Sequence, residues 1–143
     1  MEVEVIPDRI IEAGTLTTDG DRAAVEVRLP WYRALPGSCI SEVGFAVDDV
    51  AAAPESLRWT MNGRTFRLED LKDEVDEWWF PADSVLLEGD VAVEADDQEH
   101  QVDVELKLYI PYIVTDHGVL RIEEHDTKTM PATPAQTTKA GQR

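Results

Sequence analysis

The sequence predicts an all-β domain in which two antiparallel sheets pack face to face, as an immunoglobulin-like or jelly-roll-like sandwich. Three observations support this prediction. Apolar and polar residues alternate through several short runs, which is typical of strands with one buried face. Turn-forming residues separate these runs at intervals close to the ~8–12 residues expected of a sandwich. No alternation of strand and helix patterns is visible, so we expect about eight or nine strands and little helix.

The clearest strand patterns lie in the first half of the chain. Residues 23–29 alternate strictly, with Val25 and Val27 on one face. The dipeptide Asn62-Gly63 favours the type I′ turn of a β-hairpin, because both residues tolerate a positive φ. Extended segments are predicted at residues 1–6, 9–16, 23–29, 40–47, 58–61 and 64–68, and one helical turn at residues 69–75.

The second half contains one long strand, predicted at residues 101–113. The residues expected to face the core are Val102, Val104, Leu106, Leu108 and Ile110. Pro111 within this run indicates an edge position or the end of the strand, because proline lacks a backbone donor. Shorter strands are predicted at residues 84–87, 90–94 and 119–122. From residue 128 the composition becomes rich in Thr, Pro, Ala, Gln and Lys, which predicts a sandwich domain over 1–127 and a disordered tail over 128–143.

The composition narrows the classes of partner. The 143 residues include 30 acidic and 13 basic side chains, for a net charge of −17. This charge argues against nucleic acid and anionic membranes as partners, because phosphate groups bind basic patches. The single cysteine, Cys39, excludes an intrachain disulfide, and the first residues lack the basic and long apolar regions of a signal peptide. Together with the absence of a long apolar run, these features predict a cytoplasmic location.

The motifs of common catalytic sites are absent from the sequence. It contains neither a glycine-rich phosphate loop nor a G-x-S-x-G nucleophile turn. The histidines, His100, His117 and His125, do not have the spacing of metal ligands, and Cys39 has no histidine near it in sequence. We therefore predict no catalytic residue and no metal site in this chain.

A Trp-Tyr-Arg triplet lies between two predicted strands, at a turn that we call the corner (residues 30–36). Pro30 ends the first strand, and Pro36 with the following glycine turns the chain. Tryptophan, tyrosine and arginine dominate the energetics of protein interfaces, so Trp31, Tyr32 and Arg33 are candidate contact residues. The alternative is that Trp31 fills the end of the core.

A second aromatic segment contains Trp78 and Trp79 in adjacent positions. Neighbouring residues of a strand point to opposite faces, so an extended segment cannot place both rings in the same core. One of the two tryptophans must lie on the surface, under a loop or against another chain. An exposed aromatic ring of this size is typical of an interaction site.

The corner and the residues after it resemble a known family. The sequence R-L-P-W-Y-R-A-L-P, followed by S-C-I-S-E-V, is similar to the corresponding corner of the small β-subunits of bacterial C-glycoside deglycosidases. The order of the later segments is also similar: a W-T-M-N-G-R-T-F hairpin, L-E-D-L, a Trp-rich segment and a long strand ending Y-I-P-Y. The resemblance covers roughly residues 1–125, and the corner is its most specific part.

The resemblance implies a supporting role in a hetero-oligomer. Such subunits are β-sandwiches that associate with an α-subunit, a sugar-phosphate-isomerase-like barrel that carries a divalent metal, typically manganese, and the acid/base residues. The complex acts as a lyase: it cleaves, by elimination, the C–C bond between a 3-keto sugar and an aromatic aglycone such as a flavonoid. This chain is then expected to have no catalytic residue and no cofactor of its own. Its expected contact residues are Trp31, Tyr32, Arg33, Pro36, Trp78, Trp79 and Tyr112.

Two other functions fit parts of the sequence. A stand-alone carbohydrate-binding module would use Trp78 and Trp79 as a platform for sugar rings. A small hydrolase would use two of the many carboxylates, although the sequence selects no pair.

Overall fold

The structure is a computed structural model that describes residues 10–135 of the chain. Within that range the strands are β1 (Thr17–Thr18), β2 (Ala23–Arg28), β3 (Leu35–Pro36), β4 (Ile40–Val47), β5 (Val50–Ala51), β6 (Arg58–Met61), β7 (Arg64–Arg67), β8 (Trp78–Trp79), β9 (Ser84–Gly89), β10 (His100–Thr115), β11 (Gly118–Met130) and β12 (Thr133–Pro134). One helical turn, α1, spans Leu68–Leu71, and 3₁₀ turns span Gly37–Cys39 and Pro54–Ser56. The described residues contain no helix long and apolar enough to cross a membrane. The strand predicted at residues 1–6 lies outside the described residues.

Two large sheets carry the fold. One has six strands in the order β12-β1-β2-β9-β6-β7, and the other has four in the order β11-β10-β4-β5. The short strands β3 and β8 form a small third sheet beside them. Among the pairs in the described range, only β1 with β12 is parallel. The predicted two-sheet antiparallel sandwich is confirmed.

The core lies between the inner faces of the two large sheets, whose apolar side chains form one continuous cluster. The fully buried residues of β10 are Val102, Val104, Leu106, Leu108 and Ile110. Their alternation with polar residues predicted this burial. At the end of β9, a Cβ on Gly89 would lie 2.7 Å from Ala52 Cβ and 2.8 Å from Leu57 Cδ2. This approach of two segments needs glycine, because any larger residue would overlap its neighbours.

The predicted hairpin is formed by β6 and β7. Asn62 and Gly63 connect the two strands with φ values of 55° and 79°, so both turn residues have the positive φ that a type I′ turn requires. Thr60 and Thr65 face each other across the hairpin, and their hydroxyl oxygens are 2.8 Å apart.

Strand β11 is longer than predicted. It continues from Gly118 to Met130, whereas the sequence predicted a strand only at residues 119–122. The alternation stops after Ile122 because inward positions of β11 then hold polar residues. Asp126 Oδ2 accepts hydrogen bonds from the Ile11 N–H at 2.9 Å and the Ile10 N–H at 3.4 Å, and Lys128 Nζ donates to the Ile11 carbonyl. These polar side chains thus form hydrogen bonds with the backbone of a neighbouring segment instead of filling the core.

The predicted boundary at residue 127 is also too early. Residues 128–130 belong to β11, Met130 and Ala132 are buried, and β12 pairs with β1. The composition that predicted a tail belongs to the polar end of a strand. The segments with which this end pairs are distant in the sequence. The rest of the predicted tail, residues 136–143, lies outside the described residues.

Three shorter predictions need correction. Residues 90–94 do not form a strand: Val91 and Val93 are buried, but the chain leaves the sheet after β9. Of the extended segment predicted at residues 9–16, the described residues 10–16 contribute one isolated bridge, between Ile11 and Val27, instead of a continuous strand. The predicted helical turn ends at Leu71, which leaves Val75 exposed. In the first two cases alternating apolar residues indicated burial, which does not require pairing with a neighbouring strand.

Candidate functional site

The corner follows β2 and ends with β3, and burial holds its first residues in place. Leu29 and Pro30 are buried, Trp31 is half-buried against the core, and Tyr32 and Arg33 are exposed. Trp31 thus fills the end of the core only in part. Its ring packs partly against the core, while its N–H is directed to a residue of the surface.

That surface residue is Tyr112, near the end of β10. The indole N–H of Trp31 donates a hydrogen bond of 2.5 Å to Tyr112 Oη. The Arg33 guanidinium carbon lies 4.6 Å from the centre of the Tyr112 ring, which is the distance of a cation–π contact. The rings of Trp31 and Tyr32 are 5.1 Å apart and tilted by 40°. We call Trp31, Tyr32, Arg33 and Tyr112 the aromatic cluster.

The cluster is mostly uncharged. The hydrogen bond between the side chains of Tyr32 and Tyr112, and then the interaction of their charges, raises the pKa of the Tyr32 phenol above its usual range. Tyr32 therefore stays neutral at neutral pH, and the guanidinium of Arg33 stays positive. In a chain with a net charge of −17, this surface offers aromatic rings and one cation.

The two adjacent tryptophans point in opposite directions, as predicted. Trp79 is 1% exposed, and its ring meets the ring of Trp59 edge to face, with centroids 5.0 Å apart. Its N–H donates to the Asp83 carbonyl at 3.1 Å. Trp78 is 40% exposed. The prediction of Trp79 as a contact residue is therefore corrected: its side chain is part of the core, and the two rings do not form a joint platform for a sugar.

The small sheet joins the corner to the Trp-rich segment. Pro36 of β3 faces Trp78 of β8, so the two side chains lie on the same side of the pair. Two backbone hydrogen bonds extend this connection, from the Gly37 N–H to the Glu77 carbonyl at 2.7 Å and from the Ser38 N–H to the Glu74 carbonyl at 3.0 Å. The sequence identified both aromatic segments, and the structure places them side by side.

Strand β10 extends beyond the end of its neighbour β4 on the side of the molecule where the aromatic cluster lies. The pairing of β10 with β4 ends where Leu108 faces Ile40, whereas the pairing with β11 continues to Thr115 and Gly118. Pro111 lies in the part of β10 that has no β4 partner, which agrees with an edge position. The register with β11 is irregular between Ile110 and Val114.

The predicted strands end at residue 113 and begin again at residue 119, and their pairing as one hairpin was not predicted; we call its end, residues 114–119, the hairpin tip. Val114 and Val119 face each other across the two strands and are both exposed. The low charge of this segment could have indicated an exposed apolar surface: from Leu108 to Leu120 the sequence has one charged residue, Asp116, although 30% of the whole chain is charged.

Two groups outside this surface that could act as a base or a nucleophile, His100 and Cys39, are paired or buried. His100 Nδ1 lies 2.7 Å from Asp48 Oδ2, and its Nε2 lies 3.1 Å from Asp96 Oδ1. The hydrogen bond to Asp48, assisted by Asp96, raises the pKa of His100. Burial raises the pKa of the Cys39 thiol, so it is not a reactive thiolate at neutral pH. Within residues 10–135, no three His, Cys, Asp or Glu side chains are grouped to hold a metal ion.

Comparison with known proteins identifies a family whose sequences match this chain. A sequence model described as C-glycoside deglycosidase beta subunit matches residues 10–112, a range that includes the corner, both tryptophans of β8 and Tyr112.

Curated relatives agree with this match. The chain is 67% identical over 126 residues to a C-glycoside deglycosidase beta subunit of Arthrobacter globiformis, covering 88% of this chain and 96% of the relative. It is 60% identical over 132 residues to a protein of that name from Microbacterium trichothecenolyticum, covering 92% and 100%. A 3'-dehydrocarminate deglycosidase beta subunit of a Microbacterium species is 37% identical over 125 residues, covering 86% and 92%. The chain therefore belongs to the family of C-glycoside deglycosidase beta subunits.

Proposed function

We propose that this chain is the non-catalytic subunit of a hetero-oligomeric C-glycoside deglycosidase and that it binds its α-subunit through the aromatic cluster. The observation that carries the proposal is the cluster itself: Trp31, Tyr32 and Arg33 project from the corner and are held in place by Tyr112. Aromatic residues and arginine are the side chains most enriched at protein interfaces. The names of the relatives as beta subunits support a partner chain.

The reaction of the complex is proposed to be an elimination. The ketone at C3 of the oxidised sugar acidifies the proton at C2, and a base removes that proton. The bond between C1 and the aryl carbon then breaks, the electron pair leaves with the aryl carbon, and that carbon receives a proton. A flavonoid is one aromatic group that can leave in this way. The term 3'-dehydro in the name of one relative fits a substrate that is oxidised before cleavage.

The proposal assigns the acid/base groups to the α-subunit, an isomerase-like barrel. It also assigns the divalent metal, manganese, to that subunit. The described residues of this chain do not fit a metal, because no three potential ligands are grouped there. His100 is already engaged by two carboxylates and Cys39 is buried, so neither is free to act as a base. The contribution of this chain is then structural, and it acts in the compartment of its partner, the cytoplasm.

The test is the affinity of the complex after removal of exposed cluster side chains. We expect Tyr32→Ala with Arg33→Ala to weaken binding to the cognate α-subunit by about tenfold or more, because both side chains are exposed and leave the core unchanged. Binding is measured by isothermal titration calorimetry, and folding of the variant by circular dichroism.

An arginine and an apolar residue at the other end of the strands supply the control. Arg22 precedes β2, whereas the corner follows it, and Val50 faces Val47, which pairs with Val102 at the start of β10. Arg22→Ala with Val50→Ala should change the affinity by less than about twofold. If both double variants bind equally well, the aromatic cluster is not the contact surface.

A further inference from the structure

We propose that the hairpin tip, residues 114–119, is a second docking element that inserts into an apolar recess of the α-subunit. This inference rests on the proposed function and deepens it, because it adds a contact that the family resemblance did not indicate. It is carried by the pairing, exposure and charge of the tip and by its continuity with the aromatic cluster.

The tip is a formed element although β4 does not support it. Beyond Leu108 the two strands of the hairpin pair with each other, and the last pairs are Val114 with Val119 and Thr115 with Gly118. The Thr115 hydroxyl donates to the Gly118 carbonyl at 2.9 Å and accepts from the His117 N–H at 3.1 Å. These bonds define the turn before any partner binds, which reduces the entropy lost on association.

The tip exposes apolar side chains in the described part of the chain. Val114 is 73% exposed and Val119 is 43% exposed, and the preceding Tyr112 is also largely accessible. Between Leu108 and Leu120, Asp116 is the one charged residue of the sequence. Depletion of charge around exposed apolar residues is the composition of the centre of a protein interface.

Charged residues surround the base of the hairpin and are already paired. Lys107 Nζ lies 3.0 Å from Glu42 Oε1, Arg121 lies 3.7 Å from the other oxygen of Glu42, and Arg121 also lies 3.3 Å from Glu123. An apolar centre bounded by polar residues is the usual anatomy of an interface between two folded proteins.

The cluster identifies the α-subunit as the occupant. Tyr112 is bonded to Trp31 and lies two residues before Val114 on the same strand, so the cluster and the tip form one continuous surface. A partner that covers the cluster therefore reaches the tip. A second copy of this chain is disfavoured, because each copy has a net charge of −17 and the two would repel.

The experiment compares two pairs of exposed apolar residues. Val114→Lys with Val119→Lys places two charges on the tip, and we expect the affinity of this variant for the cognate α-subunit to fall about tenfold or more. Val50 faces Val47, which pairs with Val102 at the other end of β10, and Val50 and Ala53 are both exposed, so Val50→Lys with Ala53→Lys adds the same charge outside the proposed contact. This control should bind within about twofold of the unmodified chain.

Hydrogen–deuterium exchange of the unmodified chain, free and in the complex, tests the same contact without a substitution. We expect slower exchange at residues 113–119 in the complex, and this measurement decides the matter if the lysine variant misfolds. Two results would overturn the inference but leave the proposed function standing, provided that the unmodified chain still binds the α-subunit. One is unchanged exchange at the tip in the complex, and the other is equal binding by both lysine variants. Failure of the unmodified chain to bind the α-subunit overturns both.

Discussion

Two aromatic pairs of this chain have nearly the same spacing and opposite surroundings. The ring centroids of Trp59 and Trp79 are 5.0 Å apart, and those of Trp31 and Tyr32 are 5.1 Å apart. Trp79 is 1% exposed, whereas Tyr32 is 69% exposed. The comparison shows that contact between rings does not separate core from surface. What separates them is which segments of the chain cover the rings.

The hydrogen bonds of the indole nitrogens also differ between the two pairs. Trp59 Nε1 is buried and has no hydrogen-bond partner among the described residues, so the Trp59 ring depends on packing, whereas Trp79 Nε1 donates to the Asp83 carbonyl. Trp31 Nε1 donates to Tyr112 Oη, and Arg33 lies over the Tyr112 ring. The exposed pair thus has a fixed orientation without being enclosed. A rigid aromatic surface of this kind loses little side-chain entropy on binding.

The largest expected effect is on the buried pair. Trp79→Ala should lower the free energy of unfolding by about 3–5 kcal/mol, because it leaves a cavity beside Trp59 in the core. The adjacent Trp78 supplies the control, since Trp78→Ala removes a partly exposed ring and should cost less than about 1 kcal/mol. Urea denaturation followed by circular dichroism measures both. Equal losses would mean that the two rings do not differ in burial.

A smaller effect is expected at the aromatic cluster. Tyr112→Phe keeps the ring under Arg33 but removes the oxygen that Trp31 and Tyr32 contact. The pKa of Tyr32 should then fall toward its ordinary value, because the hydrogen bond that raised it is lost. The measurement is a phenol titration followed by NMR. Tyr109→Phe is the matched control, and a Tyr32 titration that is the same in both variants would contradict the contact.

The smallest effect concerns a site apart from both aromatic pairs. Both ring nitrogens of His100 face carboxylate oxygens, which only accept, so the folded chain favours the protonated ring. The pKa of His100 is raised by Asp48 and then by Asp96. Its stabilising contribution is therefore present below the ordinary histidine pKa and disappears as the pH rises through the raised value.

The variant that tests this dependence is His100→Gln. The difference in unfolding free energy between the unmodified chain and this variant should be greatest in mildly acidic buffer, above the pKa of Asp48, and should shrink as the pH rises. Denaturation at several pH values measures it. A difference that grows with pH would show that the neutral ring is the stabilised form.

The sequence predicted the features that depend on local pattern. Alternation indicated the buried face of β10, and Asn62-Gly63 indicated the hairpin turn, because each depends on neighbouring residues. The corner was found from its composition. Strand geometry also predicted that Trp78 and Trp79 would point to opposite faces.

Features that depend on distant segments were not predictable in this way. Trp79 is the buried ring because β8 pairs with β3 and places it beside Trp59, which no local pattern shows. The hairpin tip is exposed because β4 begins at Ile40, opposite Leu108. The polar end of β11 is ordered because Asp126 holds backbone from the start of the described chain.

The pairing of β1 with β12 has a consequence for the order of folding. Thr17 pairs with Thr133, so the edge of the six-stranded sheet closes only when segments from near both ends of the described chain meet. Contacts between such distant residues form late, because a long loop must close first, and chains rich in them fold slowly. During synthesis, β1 must wait for β12 to leave the ribosome. Until then the edge of β1 is open to pairing with other chains.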